Sequence, residues 1–179
     1  MRELLEILQA MAESKGRVDS PKELFLDMAD RVVKYVAGAF GAKTDEVAIL
    51  FLTSDGKHLR FVAPRRFSDL GTIPVTKRDS IAVNIFGRKT GEAMNNVPMV
   101  KHVAFFESVK LRDRPVPIQK MITVPILMNG EAVGVAQVSR KGETPGDAGP
   151  DFSGADVKKA QDLFQTVAPY LYNARPDQF

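Results

Sequence analysis

The chain has 179 residues, a formal net charge of +3, and 44% hydrophobic and 26% charged residues. This composition is typical of one globular domain with a substantial core and excludes a disordered or fibrous chain. Because there is no cysteine, disulfides, thiolate catalysis and cysteine-ligated zinc or iron–sulfur sites are excluded. Acidic residues interrupt the N-terminal apolar segment and no run is long enough to span a membrane, so we expect a cytoplasmic protein without a membrane partner.

The first part of the chain predicts two helices. Apolar residues at helical spacing indicate a short amphipathic helix over about residues 2–14. Ser20, Pro21 and Glu23 then combine a capping residue, a proline at the first helical position and an acid where a capping box needs it. We expect this second helix to run to about Ala39, with nearby glycines ending it.

A hairpin is predicted next. Residues 46–52 are apolar without alternation, which is typical of a strand covered on both faces. Residues 58–63 alternate better, and Asp55-Gly56 between the two runs favours a tight turn. Residues 64–77 have no clear pattern and are predicted as a loop.

A short helix and an irregular segment follow. Asp79 or Ser80 can cap a helix through about Arg88, with Gly91 after its end, and the next residues predict a short edge strand. Residues 98–119 contain three prolines. Long irregular segments in compact domains are often binding loops or lids.

The C-terminal part predicts a second hairpin and a last helix. Asn129-Gly130 separates strands of about residues 120–128 and 131–140, and a flexible Gly- and Pro-rich connection follows. A capping signal then begins a helix over about residues 153–173. Its apolar stripe could pack on the sheet or on a second copy of the chain. Helices before and after a mostly antiparallel sheet predict an α+β fold.

Three segments carry a resemblance to a known family: TGEAMNNV at residues 90–97, MITVPILMNGEAVGVAQVSRK at 121–141 and DFSGAD at 151–156. In the predicted order of elements, they resemble the GAF domain, a family of small-molecule sensing and dimerisation modules related to PAS domains. The resemblance covers about residues 21–172. It implies a central antiparallel sheet with the N- and C-terminal helices on one face and a lid of helix and loop on the other. We therefore expect a single domain over residues 1–179, in which residues 1–19 form an N-terminal helix and linker.

The chain departs from several ligand classes of this family. At a motif that cyclic-nucleotide-binding members often carry, Lys141, Phe152 and Asp156 match, whereas Arg140 replaces asparagine and Val157 replaces glutamate. These differences argue against cyclic-nucleotide binding. Members that attach bilins or reduce free methionine sulfoxide do so through cysteines, which this chain lacks. The cofactor therefore stays unassigned.

Enzyme activity is not expected, and no catalytic or metal-binding residue is assigned. His58 and His102 are the two histidines. His58 begins a predicted strand just after a turn, where an exposed surface histidine is common. His102 lies in the irregular segment, where a ligand contact is the more interesting alternative. Haem ligation by either histidine has little support in the sequence.

The resemblance implies a pocket between the sheet, the middle helix and the irregular segment. By position, its walls would draw on Ser80, Asn84 and His102, with Phe105 or Phe106 as stacking surfaces. The alternative is that Ser80 only caps the helix and the phenylalanines only close a core.

Gln137 is the one polar side chain within the apolar centre of the last predicted strand. A buried amide needs hydrogen-bond partners, and these can come from the protein or from a ligand. Glutamine at this place is common in the family, which favours a structural role. Its donors and acceptors would also suit the edge of a heteroaromatic ring.

The resulting prediction is a GAF-type regulatory module that binds a small ligand and passes its occupancy to the terminal helices, as a homodimer. The alternative is a ligand-free GAF domain used only for association. Because about six residues follow the last predicted helix, we expect any output to act on a separate signalling partner. Basic pairs are scattered along different elements, so we expect no nucleic-acid partner.

Overall fold

The computed structural model describes residues 1–17, 19–68, 71–99 and 116–179. The helices in these ranges are α1 (Arg2–Glu13), α2 (Pro21–Phe40), α3 (Ile81–Arg88) and α4 (Gly154–Ala174). The strands are β1 (Val47–Leu52), β2 (His58–Ala63), β3 (Thr72–Pro74), β4 (Glu92–Met94), β5 (Ile118–Met128) and β6 (Glu131–Lys141).

The strands form one antiparallel sheet of six, in the order β3-β2-β1-β6-β5-β4. The long β5–β6 hairpin turns at Asn129 and Gly130, whose φ angles are 53° and 80°. A tight two-residue turn needs positive φ at both positions, which is why this dipeptide predicted the hairpin. The α+β prediction is confirmed.

The two faces of the sheet are covered by different helices. A large apolar cluster joins one face to α1, α2 and α4, and it includes the fully buried Phe25, Phe51 and Phe164. A smaller cluster joins the other face to α3, and it includes Leu50 and Ile85. The predicted placement of the terminal helices on one face is confirmed. Because the apolar stripe of α4 belongs to the large cluster, it packs on its own sheet.

Helices α2 and α4 begin at the predicted capping residues, but Glu23 of α2 does not form its predicted capping-box bond. Ser20 accepts a hydrogen bond from the Glu23 N–H at 3.3 Å, and Ser153 with Asp156 forms a complete capping box. The Glu23 carboxylate does not complete the first box and instead pairs with Arg65 at 2.8 Å.

The predicted end of α3 at about Arg88 is confirmed. Lys89 caps the helix in a left-handed conformation with φ of 56°. Gly91 lies against β5, where an added Cβ would be 2.8 Å from the side chain of Val124. The prediction of a loop over residues 64–77 was incomplete, because β3 lies within it.

The connection between β6 and α4, predicted to be flexible, is held by several hydrogen bonds. The ammonium of Lys120, whose side chain is 6% exposed, donates to the Gly149 carbonyl at 2.5 Å and pairs with Asp151 at 2.7 Å. The Asn95 side chain bonds both the N–H and the carbonyl of Phe152, each at 2.9 Å. Residues of β5 and the end of β4 thus fix the segment immediately before α4.

Candidate functional site

A small patch of polar side chains is buried in the sheet on the α3 face. Gln137 on β6 lies opposite Ala48 on β1 and Thr123 on β5. Directly opposed residues of an antiparallel sheet point to the same face. Since Ala48 belongs to the cluster beneath α3, Gln137 and Thr123 also face α3.

Gln137 is almost fully buried, but its side-chain amide forms few hydrogen bonds with the described residues. Its side-chain N–H donates to the Thr123 hydroxyl at 3.3 Å, which is longer than the usual 2.9–3.0 Å. Within the described ranges, this is the one hydrogen bond of the Gln137 side chain. An amide group can donate two hydrogen bonds and accept two. Gln137, with 4% exposure, therefore retains hydrogen-bonding capacity at the sheet surface.

The neighbouring polar side chain, that of Ser139, has a hydrogen-bond partner within the fold. Ser139, two residues along β6, donates its hydroxyl proton to the Glu46 carbonyl at 3.0 Å. This bond ties β6 to the residue that precedes β1. Ser139 is therefore a structural residue, whereas the amide of Gln137 can bond a further partner beyond those the described residues supply.

The start of α3 lies over the same face. Ser80 is buried, and its hydroxyl accepts a hydrogen bond from the Val83 N–H at 3.4 Å, so it caps the helix. The helix packs on β5 and β6 through residues such as Ile85. Asn84 lies on the same helix but is exposed. The structure therefore brings Ser80 and Gln137 to one face and leaves Asn84 at the surface.

The remaining predicted site residues, His102, Phe105 and Phe106, lie outside the described residues. Their roles stay predictions, as does the role of the irregular segment as a lid.

The residues that match the cyclic-nucleotide motif all have partners within the fold. The Lys141 ammonium pairs with Asp45 at 2.8 Å. Arg140 stacks over the ring of Phe152 at 4.3 Å, and Asp156 caps α4. Within the described part of the chain, these side chains therefore stabilise the junctions of β6 and α4.

Neighbouring cations lower the pKa of Asp45. Partial burial alone would raise the pKa of Asp45, but the hydrogen bond and charge of Lys141, together with those of Arg66, bring the pKa below its ordinary value. The carboxylate thus stays ionised in the folded protein at neutral pH.

Thr123, the hydrogen-bond partner of Gln137, was not predicted from the sequence. A regular hairpin that continued the pairing of Met128 with Glu131 would place Gln137 opposite Ile122. The register shifts by one residue between Ile126 and Leu127, because Val133 is inserted as a bulge. The single threonine in an apolar strand was a visible signal, but the bulge that pairs it with Gln137 was not.

Among the described residues, no three or more His, Cys, Asp or Glu side chains lie close enough to hold a metal ion. Within the same ranges, every helix is too short or too polar to cross a membrane.

Comparison with known proteins gives no match to a family model or to a curated protein sequence. Solved structures do match. The GAF domain of an Acinetobacter phosphoenolpyruvate-protein phosphotransferase has a TM-score of 0.62 at 15% identity, over 96% of this chain and 94% of its own. The corresponding GAF domain from Coxiella burnetii has a TM-score of 0.64 at 13% identity, with the same coverage of 96% and 94%.

An enzyme is also among the similar structures. A type II free methionine-R-sulfoxide reductase from Thermoplasma acidophilum has a TM-score of 0.59 at 16% identity, over 86% of this chain and 96% of its own. At such low identity, similarity establishes the fold and leaves the activity open. The sheet order, the helices on its two faces and these similarities together show that the chain has the fold of a GAF domain.

Proposed function

We propose that this chain is a regulatory GAF module that binds a small ligand on the α3 face of the sheet, against Gln137, and transmits occupancy to the terminal helices. The observation that carries the proposal is the buried amide of Gln137, which has one weak hydrogen bond among the described residues. A ligand with an adjacent donor and acceptor, such as an amide or the edge of a heteroaromatic ring, would complete its hydrogen bonding.

Strand β6 supplies a physical route from this face to the helices. Ala136 and Val138 flank Gln137 in sequence, and both belong to the cluster that contains α1, α2 and α4. A small change in the position of β6 would therefore alter the packing of both faces. A ligand changes the output only if it binds two conformations with different affinity, and a typical coupling is about 1–3 kcal/mol.

The proposed function is not enzymatic. Some proteins of this fold are free methionine-R-sulfoxide reductases, and in the family this chemistry uses cysteine. The absence of cysteine from this sequence supports a sensor rather than that reductase.

A thermal-shift screen tests ligand binding. Cyclic nucleotides, other nucleotides, amino acids and haem are added to the native chain, since a ligand at 100 times its Kd stabilises by about 2.7 kcal/mol. A hit is then tested on Q137L, which should lose the shift. The matched control is Q119L, because Gln119 is equally buried but donates to the carbonyls of Gly142 and Glu143. Q119L should keep the shift, although its own melting temperature should fall.

The second candidate is a ligand-free GAF domain used for association. It is favoured by the structural partners of Lys141, Phe152 and Asp156, which leave these motif residues engaged within the fold. A flat thermal-shift response across the library would support this candidate over the sensor.

Dimerisation is part of both candidates. Leu5 and Met11 of α1 are only partly buried against their own chain, so they are available to pack against a second copy. Sedimentation velocity should give a mass of two chains. A single-chain mass at micromolar concentration would remove the dimer from the proposal.

A further inference from the structure

A separate cavity of about 270 Å³ lies between the first turns of α2, strand β2 and the residues Ser68, Gly71 and Thr72. Its lining includes Lys22, Leu26, Arg60, Phe61, Thr72 and Phe179. None of these residues belongs to the patch of Gln137, Thr123 and Ser139 on the α3 face, called the Gln137 patch below. The volume is close to the lower end of the range for small-molecule sites, which is about 300–1,000 Å³. A ligand here would be small, of the size of one substituted ring.

The two cations of this cavity have no ion-pair partner within the described ranges. Arg60 stacks over the ring of Phe179 at 5.6 Å, and Lys22 is an exposed residue of the first turn of α2. By contrast, the nearby Arg65 pairs with three carboxylates of α2. The positive charge of the cavity is thus available for an anion.

The apolar walls of the cavity are held in place. Leu26 is 5% exposed and packs in the cluster of α1, α2 and α4. The Phe179 ring contacts Phe25 edge-on at 5.3 Å. The backbone of Phe179 is tied to Ser54: the Ser54 N–H donates to a main-chain oxygen of Phe179 at 2.8 Å, and the Ser54 hydroxyl accepts the Phe179 N–H at 3.0 Å. A wall that is ordered before binding lowers the entropy lost by the complex.

We propose that this cavity binds a small organic anion that carries one aromatic or branched apolar group. The carboxylate or phosphate faces Arg60 and Lys22, and the apolar group lies against Leu26 and Phe179. Arginine suits such an anion because its planar guanidinium can donate two parallel hydrogen bonds to a carboxylate. Binding weakens at high salt, because both cations are accessible to solvent.

Amide-resolved NMR titration of the full chain tests this proposal, with benzoate as the probe and benzamide as its neutral counterpart of the same shape. Benzoate should give saturable shifts at the amides of Phe61, Gly71 and Thr72. Benzamide cannot form the charge-assisted hydrogen bonds of a carboxylate, so its affinity should be at least about tenfold lower than that of benzoate. Equal shifts with the two probes, shifts that do not saturate, or saturable shifts confined to other residues would overturn the proposal.

Variants identify the charges that bind the probe. R60Q should weaken benzoate by about tenfold, and K22Q, at an exposed helix position, should weaken it by a smaller factor. The control is K34Q, which removes an exposed lysine further along the same helix. Q137L should leave benzoate binding unchanged, so failure here is separable from failure at the Gln137 patch. Native affinity in both R60Q and K22Q would refute the assignment.

Discussion

The Gln137 amide donates to the Thr123 hydroxyl at 3.3 Å and joins β6 to β5 on the α3 face of the sheet. The adjacent residues of β6, Ala136 and Val138, point into the cluster of the terminal helices. Strand β6 therefore carries the Gln137 amide on one face and contributes to the packing of α4 on the other. This relationship underlies the proposed coupling.

Replacing Thr123 with valine should leave Gln137 buried without the one hydrogen-bond partner that its side chain has among the described residues. Because an unsatisfied buried amide costs about 1–3 kcal/mol, T123V should lower the free energy of unfolding by that amount, measured by urea denaturation. The T123V/Q137L double variant should recover most of the loss, since both polar groups are then removed. If the two single changes add without recovery, the hydrogen bond does not couple the two residues.

Gly134 is required by the close approach of β6 to β1. A Cβ at this position would lie 2.4 Å from the Leu50 carbonyl oxygen, which is backbone and cannot rotate away. G134A should therefore destabilise the protein by about 3 kcal/mol or more, at the upper end of overpacking changes. The melting temperature and urea midpoint should both fall.

The matched control for G134A is G38A. Gly38 lies inside α2 and has no heavy atom within 4 Å of an added Cβ. Alanine there should stabilise the chain by about 0.5–1 kcal/mol. An equal loss of stability in both variants would mean that the Leu50 contact is not the cause.

Arg65 links the segment after β2 to three acidic residues of α2. It pairs with Glu23 at 2.8 Å and Asp30 at 2.7 Å, and it also contacts Asp27. The Arg65 side chain is 37% exposed, so R65A should cost only about 1 kcal/mol of unfolding free energy. The loss should shrink at high salt because the charges are partly screened. A loss that is independent of salt would indicate packing rather than charge.

The lowered pKa of Asp45 predicts a pH-dependent contribution to stability. Because the folded-state pKa lies below the unfolded value of 3.8, the stabilisation is present above pH 3.8 and is lost as the pH falls through the folded value. The difference in unfolding free energy between native protein and D45N should therefore be constant near neutral pH and decline in acid. A difference that grows as the pH falls would contradict the ion pair with Lys141.

Local signals explain how much of the fold could be predicted from the sequence. Asn129-Gly130 and Asp55-Gly56 define tight turns, and Ser20 and Ser153 define helix starts, through contacts within a few residues. Strand β3 was missed because three residues are too few to show an alternating pattern, and they form a strand only by pairing with β2.

The site was less predictable because its contacts depend on pairing between strands. Gln137 stood out as a polar residue in an apolar strand, whereas its pairing with Thr123 depends on the bulge at Val133. The association of Arg65 with α2 also depends on tertiary packing, since 35 to 42 residues separate Arg65 from its partners. Patterns within one segment carry no direct information about such contacts.

Native mass spectrometry of freshly purified protein tests the central claim most directly, with the native chain, Q137L and Q119L compared side by side. We predict that the native chain and Q119L carry a small-molecule adduct as dimers, and that Q137L is a dimer without the adduct. An adduct of the same mass and occupancy in Q137L, or no adduct and no stabilising ligand for the native chain, would contradict the assignment of Gln137 to a ligand site.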